Sequence, residues 1–155
     1  MLLRPDALTG PLRVDTAART ATARAGTRLR ELNRLLHQHG RALPNLGDID
    51  RQTVAGALAT GTHGTGLRQG GLVTQAVGLP LVPADGTVAT CSRAERPDLF
   101  AAAAVGLGAF GVVTAVTLGC EAAFALHAVQ EPARPPELLD GRFDALAESE
   151  QHVEL

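Results

Sequence analysis

The chain has no lysine, tryptophan or tyrosine, one methionine and two cysteines, and aromatic residues make up only 3% of it. Each absence removes a chemistry. Without an ε-amino group there is no P-loop lysine, no Schiff base and no anchor for pyridoxal phosphate. Without tyrosine there is no phenolic acid or base. A net charge of −2, with no Trp or Tyr on which bases could stack, excludes nucleic acid as a partner. Cys91 and Cys120 form no C-x-x-C pair and stand at no metal-ligand spacing, so the expectation is two reduced thiols, a cytoplasmic location and no metal site. A disulfide between the two is the alternative. The start, Met1-Leu2-Leu3-Arg4-Pro5-Asp6, lacks the basic and apolar regions of a secretory signal.

What is present describes an ordered chain. It has 155 residues, 45% of them hydrophobic and 19% charged, with 17 glycines, which fits a core of small aliphatic side chains. Leu99 to Cys120 carries no charge and is long enough to cross a bilayer. Its alanines and glycines contribute little transfer energy and its second half alternates β-branched residues, so it reads as a buried helix followed by a buried strand rather than a membrane span.

Periodicity predicts strands at Leu12 to Asp15 and Arg19 to Ala25, then a helix with a Leu29, Leu32, Leu35, Leu36 stripe. Gly26-Thr27 is expected to cap that helix at its start and Gly40 to close it. Val73 to Val82 and Thr87 to Cys91 flank an Asp85-Gly86 hairpin turn. Pro97-Asp98 opens a helix through Ala104, and a strand runs from Gly111 to Leu118. Leu126 to Val129 reads as a further strand, and a helix follows the prolines at 132, 135 and 136. Strands and helices mix without strict alternation, which gives an α+β class.

Several motifs have plain explanations. Gly106-Leu107-Gly108-Ala109-Phe110-Gly111 spells a dinucleotide fingerprint, but helix precedes it and strand follows, the reverse of what pyrophosphate binding requires. It reads as a tight helix-to-strand connection. His37 and His39 are two apart on a helix end, and a zinc hydrolase built on them with His63 is the weakest alternative. Neither Ser92 nor Ser149 sits in a nucleophile elbow. Gly61-Thr62-His63-Gly64-Thr65-Gly66 is different. Its glycines allow close backbone approach, while Thr60, Thr62 and Thr65 offer hydroxyls and amides to an anionic group. The small-residue stretch before it, Thr53 to Ala59, suits a short helix pressed against a ligand with its N-terminus facing an anion. A Gly-rich surface turn remains the alternative.

Two blocks carry a family resemblance. Leu43-Pro44-Asn45-Leu46-Gly47-Asp48-Ile49-Asp50-Arg51-Gln52-Thr53, running into Thr60 to Gly66, closely resembles the flavin-binding domain of the sugar-lactone and alditol oxidases, relatives of vanillyl-alcohol oxidase. The second block, Pro97 to Phe100, then Val105 to Thr114, then Val116 to Leu118, agrees in order and spacing. The resemblance implies an α+β fold, the second subdomain of a PCMH-type FAD-binding domain, over 1–125, and the start of a substrate domain over 126–155. It implies FAD held by Asn45, Asp50, Thr53, Gly56, Thr60, Gly61, Thr62, His63, Gly64 and Thr65, with Gly111 and Val112 near the adenine. It also implies oxidation of a sugar lactone or polyol by hydride transfer, with O₂ as acceptor. The family's first flavin subdomain, with a Gly-His-Ser type motif whose histidine often bonds covalently to FAD, and its C-terminal His-Trp-x-Lys type motif have no counterpart here. No catalytic residue is therefore assigned, and weak FAD binding, no turnover and some instability are expected of the chain by itself. Expected partners are the flanking domains or a second copy, and a non-catalytic scaffold of the same fold is the alternative.

Overall fold

Alternation of small apolar and polar residues builds an antiparallel sheet whose central strand comes late in the chain. In this computed structural model, which describes residues 3–154, the strands are β1 (Arg13–Asp15), β2 (Thr20–Arg24), β3 (Arg41–Ala42), β4 (Ala76–Val82), β5 (Ala89–Ser92), β6 (Val112–Val113), β7 (Ala115–Gly119) and β8 (Glu121–Ala122). The main sheet has the order β1-β2-β7-β4-β5, with β6 also paired to β4, and every pairing in it is antiparallel. A second, two-stranded sheet joins β3 and β8. The α+β expectation is met.

Residues Ala21, Ala23, Leu79, Leu81, Ala89, Cys91, Val116 and Leu118 turn one face of the main sheet into a buried core. Helices α1 (Leu29–Gln38), α2 (Val54–Ala59), α3 (Leu72–Gln75) and α4 (Pro97–Ala104) supply the rest of it, through Leu29, Leu32, Leu36, Val54, Leu58, Leu72 and Phe100. On the opposite face Thr22 and Thr117 share a hydroxyl hydrogen bond of 2.9 Å. After β8 an extended segment leads to α5 (Pro135–Glu137), a kinked π-turn at Leu138–Arg142 and α6 (Phe143–Ser149).

Local chemistry explains the boundaries. Pro97 sits in the first turn of α4. Gly40 and Gly86 take φ of +65° and +79° after α1 and in the β4–β5 turn. At that turn Asp85 accepts hydrogen bonds from the Thr87 amide and hydroxyl at 2.9 and 2.7 Å, and these bonds hold its carboxyl below the usual range.

Four expectations are corrected. Arg28, not Thr27, stands at the cap position of α1, and the first helical amides of Leu29 and Arg30 donate to the carbonyls of Gln52 and Asp50 at 2.9 and 3.0 Å. Thr27 is buried, and its hydroxyl oxygen has no partner among the described residues. The Val73 end of the expected strand belongs to α3, and the strand begins at Ala76. Leu126 to Val129 is exposed chain that pairs with no strand among the described residues. The Gly111 to Leu118 strand is broken at Thr114, whose amide nevertheless donates to Pro80 at 3.0 Å. No helix among the described residues is long and apolar enough to cross a membrane; the uncharged run divides between α4, a turn, β6 and β7.

Candidate functional site

The Asn45–Gly47 and Thr62–Gly64 segments meet as backbone against backbone. A Cβ on Gly47 would lie 2.8 Å from the His63 carbonyl oxygen, and one on Gly64 would overlap the Leu46 carbonyl and stand 2.5 Å from Asn45 Oδ1. Only glycine at both positions lets the two loops touch. Asn45 is buried and anchors the first loop: its Nδ2 donates to Gly70 O at 3.2 Å, and its carbonyl accepts Gln75 Nε2 at 2.6 Å. Gln75 Oε1 is buried without a partner among the described residues.

Helix α2 carries the chain into the second loop. Thr53 caps it, its hydroxyl accepting the Gly56 amide at 3.2 Å, and a Cβ on Gly56 would crowd that same hydroxyl at 3.0 Å. The remaining first-turn donors are also taken, Val54 N by Thr27 O at 2.8 Å and Ala55 N by Ala25 O at 3.1 Å. The expectation that this helix presents its N-terminus to an anion is therefore corrected. Its dipole end is sealed by the backbone that precedes α1.

Donors follow a gradient along the Gly-rich loop. The amides of Thr60, Gly61 and Thr62 close the end of α2 onto Gly56 O, Leu58 O and Ala57 O. The hydroxyl of Thr60 donates to Gly56 O at 2.9 Å and that of Thr62 to Gln52 Oε1 at 3.2 Å, which leaves both as acceptors only. From His63 to Leu67, by contrast, no amide is bonded to a described residue. Gly61 and Gly66 bracket the segment with φ of +68° and +105°. The result is a run of free N–H donors with no bulky side chain between Gly64 and Gly66, suited to an acceptor-rich ligand.

The candidate residues divide into groups. Asn45, Thr53, Gly56, Thr60, Gly61, Thr62, His63, Gly64 and Thr65 belong to one continuous structure built on α2 and the paired loops. Asp50 lies at its edge, exposed, with its carbonyl spent on α1. Gly111 and Val112 attach elsewhere, to the end of β4: a Cβ on Gly111, at φ +139°, would come within 2.6 Å of Val82 O, and Val112 pairs with Val82. The two blocks touch instead through Val105, whose Cγ1 would lie 3.6 Å from a Cβ on Gly61. His63 Nδ1 donates to Gly64 O at 3.0 Å, and among the described residues no group of three His, Cys, Asp or Glu stands close enough to hold a metal.

One contributor had no signal in the sequence. The segment after α6 returns to the Gly-rich loop, where His152 Nδ1 lies 3.0 Å from Thr65 O and 3.3 Å from its hydroxyl. Arg68 reaches Glu148 O at 3.4 Å, and a hydrogen bond donated by the protonated Glu154 carboxyl to Asp48, with the repulsion between the two carboxylates, raises the Glu154 carboxyl above its ordinary range. His152 also lines an open cavity of about 450 Å³ beside Gln69 and Phe124.

The antiparallel sheet, the short helix α2 and the glycine-spaced run of free amides define an α+β domain with an acceptor-seeking loop, and the comparisons with known proteins give its class. The family model described as FAD binding domain matches residues 1–92, and the chain belongs to that family. It is similar to L-gulonolactone oxidase of Mus musculus, 43% identical over 139 residues, which are 90% of this chain and 32% of that protein. It is likewise similar to alditol oxidase of Streptomyces sp., 47% identical over 124 residues, 80% of this chain and 29% of that protein. L-galactono-1,4-lactone dehydrogenase 2, mitochondrial, of Oryza sativa subsp. japonica is 44% identical over 110 residues, 70% of this chain and 19% of that protein. The chain thus spans about a third or less of the length of these relatives. Its cofactor is FAD, and the free donors of His63 to Leu67 and the Gly47–Gly64 approach fit such an acceptor-rich group.

Proposed function

We propose that this chain forms one wall of the FAD site of an oxidoreductase acting on the CH–OH group of a sugar lactone or alditol. The observation that carries this reading is the free amide run from His63 to Leu67, held against the Asn45–Gly47 loop. The names of the relatives support the substrate class. When bound, FAD supplies the hydride acceptor, and the protein's part is orientation and tuning. The amides from His63 to Leu67 would donate to flavin, ribityl or phosphate oxygens, and the hydroxyls of Thr60 and Thr62 would accept. Asn45 and Thr53 would hold the two loops in register, Gly56 would leave room for the cap, and Asp50 would flank the entrance. Gly111 and Val112 would offer backbone groups to the adenine end. The relatives include both oxidases and a dehydrogenase, so O₂ as the final acceptor belongs to this proposal, as do the cytoplasmic location and partnership with further domains or a second copy.

Titration of the full chain with FAD, followed by quenching of flavin fluorescence, tests the reading. Saturable quenching without turnover of a lactone or polyol is the expected result. No quenching at high protein concentration would sink it and favour the scaffold alternative.

A further inference from the structure

The two carbonyls at the centre of the free-amide run are both held by imidazoles. His63 Nδ1 meets Gly64 O and His152 Nδ1 meets Thr65 O, each at 3.0 Å. A carbonyl only accepts, so the shorter contact, to Thr65 O, assigns the proton to Nδ1 of His152 and the lone pair of the neutral ring to Nε2, with the Thr65 hydroxyl at 3.3 Å left to accept or to turn aside. No peptide bond of the described chain is cis, and across a planar trans peptide the C=O of one residue and the N–H of the next point in opposite directions. Fixing Thr65 C=O on His152 therefore turns Gly66 N–H away from the imidazole. The same argument applied to His63 turns Thr65 N–H away from that ring.

The seat of His152 is built. Gly66 takes φ +105°, and a Cβ there would come within 2.6 Å of Gln151 O and 3.3 Å of His152 Nδ1. Arg68 reaches the same returning segment through Glu148 O at 3.4 Å.

We propose that His152 is a positioning residue of the cofactor loop: its Nδ1–H, donated to the Thr65 carbonyl, fixes the Thr65–Gly66 peptide so that Gly66 N–H faces an acceptor on bound FAD. This rests on the flavin reading above. A residue that merely filled space would be replaceable by an apolar ring, whereas a positioning donor is replaceable by asparagine, whose Nδ2 sits where the imidazole Nδ1 does.

The test uses the full chain without FAD first. Long-range ¹H–¹⁵N spectra of the imidazoles should show His152 as the Nδ1–H tautomer; the Nε2–H tautomer would overturn the proposal. In His152→Phe the Gly66 amide should shift and exchange faster, and in His152→Asn it should return towards the unmodified value. FAD titration should then show about three- to tenfold weaker binding for His152→Phe, and binding within about twofold of the unmodified chain for His152→Asn, the range for one hydrogen bond. Equal affinity for all three, or equal weakening in both variants, would refute it. If the unmodified chain binds no FAD, the flavin reading fails, while the tautomer and the Gly66 amide still decide the role of His152.

Discussion

Replacing Gly64 by alanine probes the contact on which the site depends. The new methyl group would overlap the Leu46 carbonyl oxygen and lie 2.5 Å from Asn45 Oδ1. The first of these is backbone and cannot rotate aside, so the two loops must separate. Overpacking of this kind costs up to about 3 kcal/mol. Loss of unfolded-state freedom on going from Gly to Ala returns about 1 kcal/mol. The net of about 2 kcal/mol corresponds to a fall of about 4–8 °C in Tm for a chain of this size. Separating the loops also turns the free amides, and loss of one or two bonds to FAD lowers affinity about tenfold. Gly40→Ala is the control. It has φ +65° but nothing within 4 Å, so its left-handed strain of about 1–2 kcal/mol should lower stability while leaving FAD affinity unchanged. Thermal melts and flavin titration of both variants check the pair. A Gly64→Ala chain that melts within about 1 °C of the parent and binds FAD equally would show that the loops are not locked by that approach.

Thr53→Ala removes the α2 cap and should cost about 1 kcal/mol, read by denaturant unfolding. Leu32→Ala empties a fully buried position under α1 and should cost about 2–5 kcal/mol in the same assay, with a smaller loss pointing to collapse of the site. Burial raises the thiols of both Cys91 and Cys120, so a thiol reagent should label neither until the chain unfolds; rapid native labelling would contradict their placement. Glu154 has a folded pKa above its ordinary 4.5, so its bond with Asp48 stabilises the returning segment below that value and is lost as pH rises through the raised one. Hydrogen-exchange protection of 150–154 should fall over that interval, and Glu154→Gln should flatten the dependence; an unchanged profile in the variant would exclude this pair as its source.

Local chemistry was legible wherever one residue decides the outcome. Pro97 opens α4, Asp85-Gly86 turns the hairpin and Gly40 ends α1, each at the predicted place. What could not be read was supplied from a distance. The start of α1 is satisfied by carbonyls of Gln52 and Asp50 rather than by Thr27, and the start of α2 by Thr27 and Ala25, so neither terminus behaves as its own sequence suggests. Leu126 to Val129 has strand-like residues but pairs with no strand among the described residues. In the candidate site, the glycine spacing singled out the loop that carries the unbonded amides, yet it did not distinguish the amides spent on closing α2 from those left free. The His152–Thr65 contact joins positions 87 residues apart and leaves no local trace.

The placement of β7 between β2 and β4 bears on how the chain reaches its fold. Thr22 meets Thr117 across 95 residues, and the whole Gly-rich loop lies in the interval between those strands. Local pairing can form the β1–β2 and β4–β5 ribbons early, but the two halves join only when β7 inserts. Until then β2 and β4 each present an open edge, and a ribosome that has not yet released residue 119 holds two hairpins rather than a sheet. Strand β7 thus acts as a late keystone, and aggregation during synthesis should track the time this segment takes to dock more closely than the affinity of the finished site.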